Sequence, residues 1–177
     1  FKRILIKNIG INCFIKKNED SIAVGGSLTG GVFECRGDVS SQFLTGLLFT
    51  LPLLNEDSVI RLTTSLQSSP YIDLTIEILK EFGVAVERPN EREFIIKGNQ
   101  KFKPFDYTVE GDYSQSAFFL VANALGNDIK LKAMNQFSYQ GDKKIIQDMI
   151  DFGCDVTSLD DTLICKCDNL HGATIDF

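Results

Sequence analysis

Apolar positions along the chain switch repeatedly between a helical period and the alternation of a strand. Phe43, Leu44, Leu47, Leu48 and Leu51 recur at helical spacing and predict a buried helix within 43–54, opened by Arg36-Gly37-Asp38-Val39-Ser40-Ser41-Gln42. Asn55-Glu56-Asp57 breaks it, and 58–62 alternates as a strand. Ser69-Pro70 then supplies an N-cap serine with proline at the first helical position, so a second helix is expected over 71–82, with Ile72, Ile76, Leu79 and Phe82 on its apolar side. Gly83 stands where a helix end needs a positive φ. Two strands, 84–87 and 93–97, are expected around a turn at Pro89-Asn90.

The same order then recurs. Gly111-Asp112 opens a helix over 114–125, followed by a strand at 129–134, a helix at 143–152, Gly153, and strands at 154–157 and 163–166. Asp38 and Asp112 stand 74 residues apart, and Gly83 and Gly153 stand 70 apart. Residues 8–12 mirror 81–85, and 22–25 mirror 95–98, both at a separation of 73. The pattern predicts an α/β (α+β) fold of repeated β-α-β-α-β-β units, with the tail of one unit at the start and an opening strand at 172–177. Such units bury their apolar faces against one another. An incomplete set is therefore expected to leave exposed apolar surface beside residues 1–26 or beside Phe177.

Composition narrows the class. The 177 residues are 44% hydrophobic and 24% charged and include 14 Phe, enough for a core that needs no disulfide staples. Against 18 Lys and Arg stand 24 Asp and Glu, a net charge of −6, which disfavours a nucleic-acid backbone as partner. No run of about 18 apolar residues is present and no signal-peptide pattern opens the chain, so no membrane association is expected. The chain begins with Phe1 rather than Met and is expected to be an excised or processed piece. Cys13, Cys35, Cys154, Cys165 and Cys167 are an odd, scattered set, which suits free thiols in a reducing, cytoplasmic setting. Cys165 and Cys167 share one face of a strand, but a zinc site needs further ligands and His171 is the sole histidine.

Hydroxyls cluster at three helix starts: Ser40-Ser41-Gln42, Ser68-Ser69-Pro70-Tyr71, and Ser114-Gln115-Ser116 after Asp112. A helix N-terminus has unpaired N–H groups and a positive dipole end, so added hydroxyls make a neutral cradle for an anion such as phosphate. Capping alone explains a single serine. The first two starts exceed that need: one offers three adjacent hydrogen-bonding side chains, the other a phenol beside the cap. At the third, Asp112 is expected to cap reciprocally with Gln115, placing a carboxylate where phosphate would be repelled. His171 has no nucleophile in an elbow-like setting. The acidic pairs Glu19-Asp20, Glu56-Asp57 and Asp160-Asp161 fall in expected turns, where solvation is the ordinary role. Gly25-Gly26 and Gly30-Gly31 lack the lysine of a phosphate loop and read as two turns.

Three runs resemble the middle of the 5-enolpyruvylshikimate-3-phosphate synthase family, the 3-phosphoshikimate 1-carboxyvinyltransferases. They are Gly37-Asp38-Val39-Ser40-Ser41-Gln42-Phe43-Leu44-Thr45-Gly46, Ser68-Ser69-Pro70-Tyr71-Ile72-Asp73, and Val109-Glu110-Gly111-Asp112-Tyr113-Ser114-Gln115-Ser116. The resemblance implies transfer of the enolpyruvyl group of phosphoenolpyruvate to the 5-hydroxyl of shikimate 3-phosphate through a tetrahedral intermediate, with release of phosphate and no metal or organic cofactor. It implies two pseudo-threefold domains of the enolpyruvyl transferase fold, both incomplete here: 1–108 in the first, shikimate 3-phosphate-binding domain, and 109–177 opening the second after a hinge at Val109–Asp112. Ser40 and Ser41 would hold the substrate phosphate and Gln42 would lie between the two substrates. Ser68 would add a phosphate contact, and Tyr71 would meet the shikimate ring.

The family's early Lys-Ser motif, its Asn-x-Gly-Thr loop, its catalytic aspartate and its later basic residues have no counterpart in the 177 residues. No Lys or Arg lies between Gly37 and Ile60 or between Leu66 and Leu79. The isolated chain is therefore expected to be inactive, holding half a substrate site and no catalytic residue, within a parent enzyme expected to be monomeric. Two other readings stay open. One is the sibling transferase acting on UDP-N-acetylglucosamine, and the other is a non-catalytic binding module with the same repeat.

Overall fold

The computed structural model describes residues 7–8, 14–17 and 22–175, with side chains from residue 25 to 175. The chain divides into two units, Phe1–Phe105 and Asp106–Phe177. In the first, β1 (Lys7–Asn8), β4 (Gly31–Cys35), β5 (Ser58–Leu62), β7 (Glu93–Ile96) and β6 (Val86–Asn90) form one sheet in the order β1-β4-β5-β7-β6. A separate hairpin joins β2 (Phe14–Lys17) to β3 (Ile22–Gly25). The pair β4 and β5 is parallel, with Gly31 opposite Ser58 and Cys35 opposite Leu62, and its crossover is helix α1 (Ser41–Thr50). A turn of 3-10 helix at Leu51–Leu53 and the break at 54–57 lead into β5. Helix α2 (Ser69–Glu81) follows β5, and β7 pairs antiparallel with both β5 and β6. The observed order β4-α1-β5-α2-β6-β7 is the predicted β-α-β-α-β-β unit.

The apolar periods account for the core. Leu44, Leu47, Leu48 and Leu51 from α1 and its 3-10 extension, with Ile72 and Leu79 from α2, pack on Phe33, Ile60, Phe94 and Ile96 of the sheet. Full burial of one such side chain stabilises by about 1.5–3 kcal/mol. Phe43 sits one step off this stripe and is 45% exposed. Gly83 takes φ +78 and ends α2 as expected. The β6–β7 turn falls at Glu91-Arg92 rather than Pro89-Asn90. Because β6 is the sheet edge and is bulged between Glu87 and Asn90, it accommodates Pro89, which has no N–H to give a ladder.

The second unit holds α3 (Tyr113–Ala124), β8 (Lys130–Leu131), a 3-10 turn at Gly141–Lys144 running into α4 (Ile145–Asp151), β9 (Asp155–Leu159) and β10 (Thr162–Lys166). Its sheet runs β8-β10-β9, all antiparallel. Tyr113, Leu120, Met134, Met149, Cys154, Leu163 and Cys165 form its core. The repeat is incomplete here: the opening strand of the β-α-β-α-β-β unit, to which the sequence pattern assigned no residues, does not form over 97–112. Two further expectations are corrected. The strand expected at 129–134 is only two residues long, because Ala133 turns to φ +61 and the Met134 N–H bonds the Asp161 carbonyl at 2.8 Å. Residues 172–175 form no strand, and 176–177 lie outside the described residues.

Helix α3 is apolar on two faces. Tyr113, Ser116, Leu120 and Asn123 are buried, while Phe118, Val121 and Leu125 follow a second stripe and are 72%, 46% and 71% exposed. The apolar surface expected beside residues 1–26 concerns side chains that mostly lie outside the described residues, as do Cys13 and the Glu19-Asp20 pair. The exposed apolar groups that are described include this helix face. No helix among the described residues is long and apolar enough to cross a membrane.

Candidate functional site

Parallel strands send their following loops out at the same end of a sheet, and β4 and β5 are adjacent. The loops 36–40 and 63–68 therefore leave side by side, and three hydrogen bonds from backbone N–H groups tie them together. Thr63 N–H donates to the Cys35 carbonyl at 2.9 Å, Gly37 N–H donates to Thr64 Oγ1 at 3.0 Å, and Gln67 N–H donates to the Gly37 carbonyl at 3.0 Å. A Cβ on Gly37 would lie 2.9 Å from the Ser65 carbonyl oxygen and 3.1 Å from Leu66 Cα, so this approach requires glycine. The helices that follow pack on each other. Thr75 Oγ1 donates to the Tyr71 carbonyl at 2.8 Å, which leaves Thr45 Oγ1, 3.3 Å away, as the donor to Thr75.

Both serine clusters thus open helices from neighbouring, interlocked loops. Ser40 is the N-cap of α1, in extended backbone, and its Oγ accepts the Gln42 N–H at 3.3 Å. The side chains of Ser41 and Gln42 hydrogen-bond nothing among the described residues. Ser68, not Ser69, occupies the N-cap position of α2. It sits in left-handed backbone at φ 65, ψ 42 and makes no side-chain cap bond. A non-glycine residue at such an angle is strained and is held there by its surroundings. Tyr71, in the first turn, is 50% exposed and bonds its N–H to the Ser68 carbonyl at 3.2 Å.

Cations that the sequence keeps apart from these loops reach them in the fold. The β6–β7 turn lies at the C-terminal end of β5, where Leu62 N–H bonds the Arg92 carbonyl at 2.8 Å. Arg92 there donates through Nη2 to Ser65 Oγ at 3.0 Å and has no carboxylate partner among the described residues. Arg88, on edge strand β6, bonds both Asp73 and Ser69 Oγ of the first turns of α2, and its guanidinium lies 5.2 Å from the centre of the Phe94 ring. Arg36 pairs with Asp38 at 2.7 and 2.8 Å, and this contact, with a smaller share from Thr64, holds the Asp38 carboxyl below its ordinary range. The reading of cation-free serine loops holds only along the chain. Arg88 and Arg92 are the residues it missed, and the position of Arg92 on a turn between two strands is the signal that pairing makes visible.

The second unit differs. Asp112 caps α3, accepting the N–H groups of Ser114 and Gln115 at 2.8 and 3.3 Å. The expected reciprocal bond from the Gln115 side chain is not formed. Glu110, before it, accepts from Ser138, from Asn135 Nδ2 at 2.7 Å and from Gln140 Nε2 at 2.8 Å. These bonds outweigh burial, which acts the other way, and hold its carboxyl low. A cavity of about 500 Å³ lined by Tyr107, Glu110, Phe137 and Asp160 belongs to this unit and touches none of the serines. Asp57 of the first unit is paired with Lys97 at 2.7 Å, and His171 is a surface residue whose ring covers Gly153.

Comparison with known proteins places the chain in a family. Residues 5–177 match EPSP synthase (3-phosphoshikimate 1-carboxyvinyltransferase). Among curated relatives, the 3-phosphoshikimate 1-carboxyvinyltransferase of Clostridium novyi is 46% identical over 172 residues, covering 97% of this chain and 40% of the relative. That of Clostridium perfringens strain ATCC 13124 is 49% identical over 154 residues, covering 86% and 36%. Among solved structures, EPSP synthase from Acinetobacter baumannii superposes with TM-score 0.68 at 18% identity, over 93% of this chain and 39% of that one. The enolpyruvyl transferase NikO from Streptomyces tendae does so with TM-score 0.59 at 13% identity, over 88% and 39%. These two likenesses establish the enolpyruvyl transferase fold. The chain spans about 40% of the length of such relatives. Its matched motifs, its repeat and its fold agree, and the chain belongs to the EPSP synthase (3-phosphoshikimate 1-carboxyvinyltransferase) family.

Proposed function

We propose that the interlocked loops 36–42 and 63–71 form the shikimate 3-phosphate half of an enolpyruvyl transfer site. The observation that carries this reading is the stitching of Gly37 to Thr64 and Gln67, which brings the N-termini of helices of 10 and 13 residues to one sheet end, with the hydroxyls of Ser41 and Ser68 unengaged among the described residues. Ser40, Ser41 and Ser68 donate to the substrate phosphate, helped by the N–H groups and dipoles of both helices. Tyr71 meets the shikimate ring, and Gln42 faces the position of phosphoenolpyruvate. Arg92 adds positive charge at the rim.

The reaction, in the whole enzyme, joins the 5-hydroxyl oxygen of shikimate 3-phosphate to C2 of phosphoenolpyruvate, protonates C3, and then expels phosphate as C3 gives up a proton. The groups that move those protons belong to the parts of the relatives' length that this chain does not span, with 1–108 in the first domain and 109–177 following the hinge at Val109–Asp112. The 177 residues alone turn over no substrate, and the parent acts as a cytoplasmic monomer without metal or organic cofactor. The curated relatives' names favour this substrate over UDP-N-acetylglucosamine.

Titration of the isotope-labelled chain with shikimate 3-phosphate tests the site. The amides of Ser40, Ser41 and Ser68 shift, and Ser41→Ala weakens the response about tenfold, the worth of one hydrogen bond to a charged group. Shifts confined to other residues, or none at millimolar ligand, overturn the assignment.

A further inference from the structure

Three thiols meet on the core face of the β9–β10 hairpin. In that ladder Asp155 stands opposite Lys166 and Val156 opposite Cys165, so one step beyond it Cys154 faces Cys167. The Leu159/Thr162 pair closes a two-residue turn at Asp160-Asp161, and ladder pairs alternate from there between hydrogen-bonded and non-hydrogen-bonded positions. Counting back makes 154/167 a non-hydrogen-bonded position, in accord with the Cys154 N–H donating instead to the Met149 carbonyl at 3.0 Å. Opposite residues at such positions have Cα atoms about 4.5 Å apart, inside the range of about 4.4–6.8 Å that a disulfide spans.

The competing pairs are less well placed. Cys165 is diagonal to Cys154, and such neighbours lie about 7–8 Å apart. Cys165 and Cys167 are two residues apart on an extended strand, a separation of about 6.8 Å that sits at the limit. Among the described residues no group of three or more His, Cys, Asp and Glu is arranged to hold a metal ion. Access differs within the pair. Cys154 is 4% exposed, whereas Cys167 is half-buried and donates its S–H to the Gly153 carbonyl at 3.6 Å.

We propose that Cys154 and Cys167 are an oxidation site, closed by a peroxide into a cross-strand disulfide at the open end of the β9–β10 hairpin, with Cys167 reacting first. The Cys167 thiolate attacks one oxygen of hydrogen peroxide. The O–O bond breaks, leaving a sulfenic acid, and the departing hydroxide takes up the thiol proton as water. The Cys154 sulfur then attacks the sulfenic sulfur, the S–O bond breaks, and the leaving hydroxide carries off the Cys154 proton as a second water. Two thiols lose two electrons and the peroxide gains them. Burial raises the Cys154 thiol well above its ordinary range, with hydrogen bonding to Cys167 adding to the rise, so the closing step accelerates with pH. The bond fixes the segment after β10 where it turns back over Gly153, with His171 N–H on the Phe152 carbonyl at 3.0 Å.

The test exposes the folded 177-residue chain to hydrogen peroxide at pH 7 and pH 9 until added free cysteine is consumed, then quenches, denatures, alkylates and maps the thiols by mass spectrometry. The expected product is a Cys154–Cys167 crosslinked peptide pair lighter by about 2 Da, two hydrogens, formed faster at pH 9, with Cys165 still alkylated. Cys165→Ser keeps this product and Cys167→Ser loses it. Full alkylation of Cys154 and Cys167 after the exposure overturns the proposal, as does a crosslink that runs to Cys165 or between molecules.

Discussion

The carbonyl of Gly37 accepts the N–H of Gln67 at 3.0 Å, closing the loop before α1 onto the loop before α2. A side chain at Gly37 collides with backbone at Thr64, Ser65 and Leu66, which cannot rotate away. Gly37→Ala is expected to destabilise the first unit by about 1–3 kcal/mol and to weaken the proposed shikimate 3-phosphate binding more than Ser41→Ala does, because both clusters move. Denaturant unfolding and the amide titration check the two effects.

Arg88 reaches both Asp73 and Ser69 Oγ, and so pins the start of α2 to the edge strand. Arg88→Met keeps most of the contact with Phe94 but drops the pins. The expected loss is about 1–2 kcal/mol, modest because Asp73 is partly exposed, with amide shifts at Ser68 and Ser69 in the unliganded chain. An unchanged spectrum at these two residues would count against the pinning role.

Ser58 Oγ is buried and finds no hydrogen-bond partner among the described residues. Its neighbours across the sheet are Gly31 and Ile96. Ser58→Ala removes an unsatisfied polar group while keeping the volume nearly constant, and is expected to raise stability by about 1 kcal/mol. A lowered melting temperature contradicts this.

Glu110 is held ionised by Ser138, Gln140 and Asn135 against the opposing effect of burial. Its folded pKa lies below the unfolded value of about 4.3, so its contribution to stability is present above that pH and is lost as pH falls through the folded pKa. Glu110→Gln is expected to flatten the acid limb of the second unit's stability below about pH 4, read by hydrogen exchange of the α3 amides, while costing stability at neutral pH.

The outer face of α3 exposes Phe118, Val121 and Leu125. Contiguous apolar surface of this kind binds hydrophobic dyes. Phe118→Gln with Leu125→Gln is expected to cut dye fluorescence at least twofold with the circular dichroism unchanged, since neither residue joins the core of its unit.

Much of the first unit was legible in the order of residues. The strand at Ser58–Leu62 and the end of α2 at Gly83 fall where periodicity and glycine put them. The short second-unit strand and the turn at Glu91-Arg92 did not follow, because strand length and edge position depend on partners that local pattern does not contain. Of the proposed site, the serines, Gln42 and Tyr71 were visible as an excess of hydrogen-bonding groups beyond what capping uses.

Sequence by itself determined the helices, their repeated order and the surplus of hydrogen-bonding groups at their starts, since these depend on spacings of three to four residues and on the groups a helix end leaves unpaired. Tertiary structure alone decided what those groups meet. Parallel pairing of β4 with β5 interlocks the two serine loops, the β6–β7 hairpin carries Arg88 and Arg92 to them, and the β9–β10 register sets Cys154 against Cys167. Each of these contacts joins residues at least 13 apart in the chain, and only sheet register, fixed by which faces are buried, selects it.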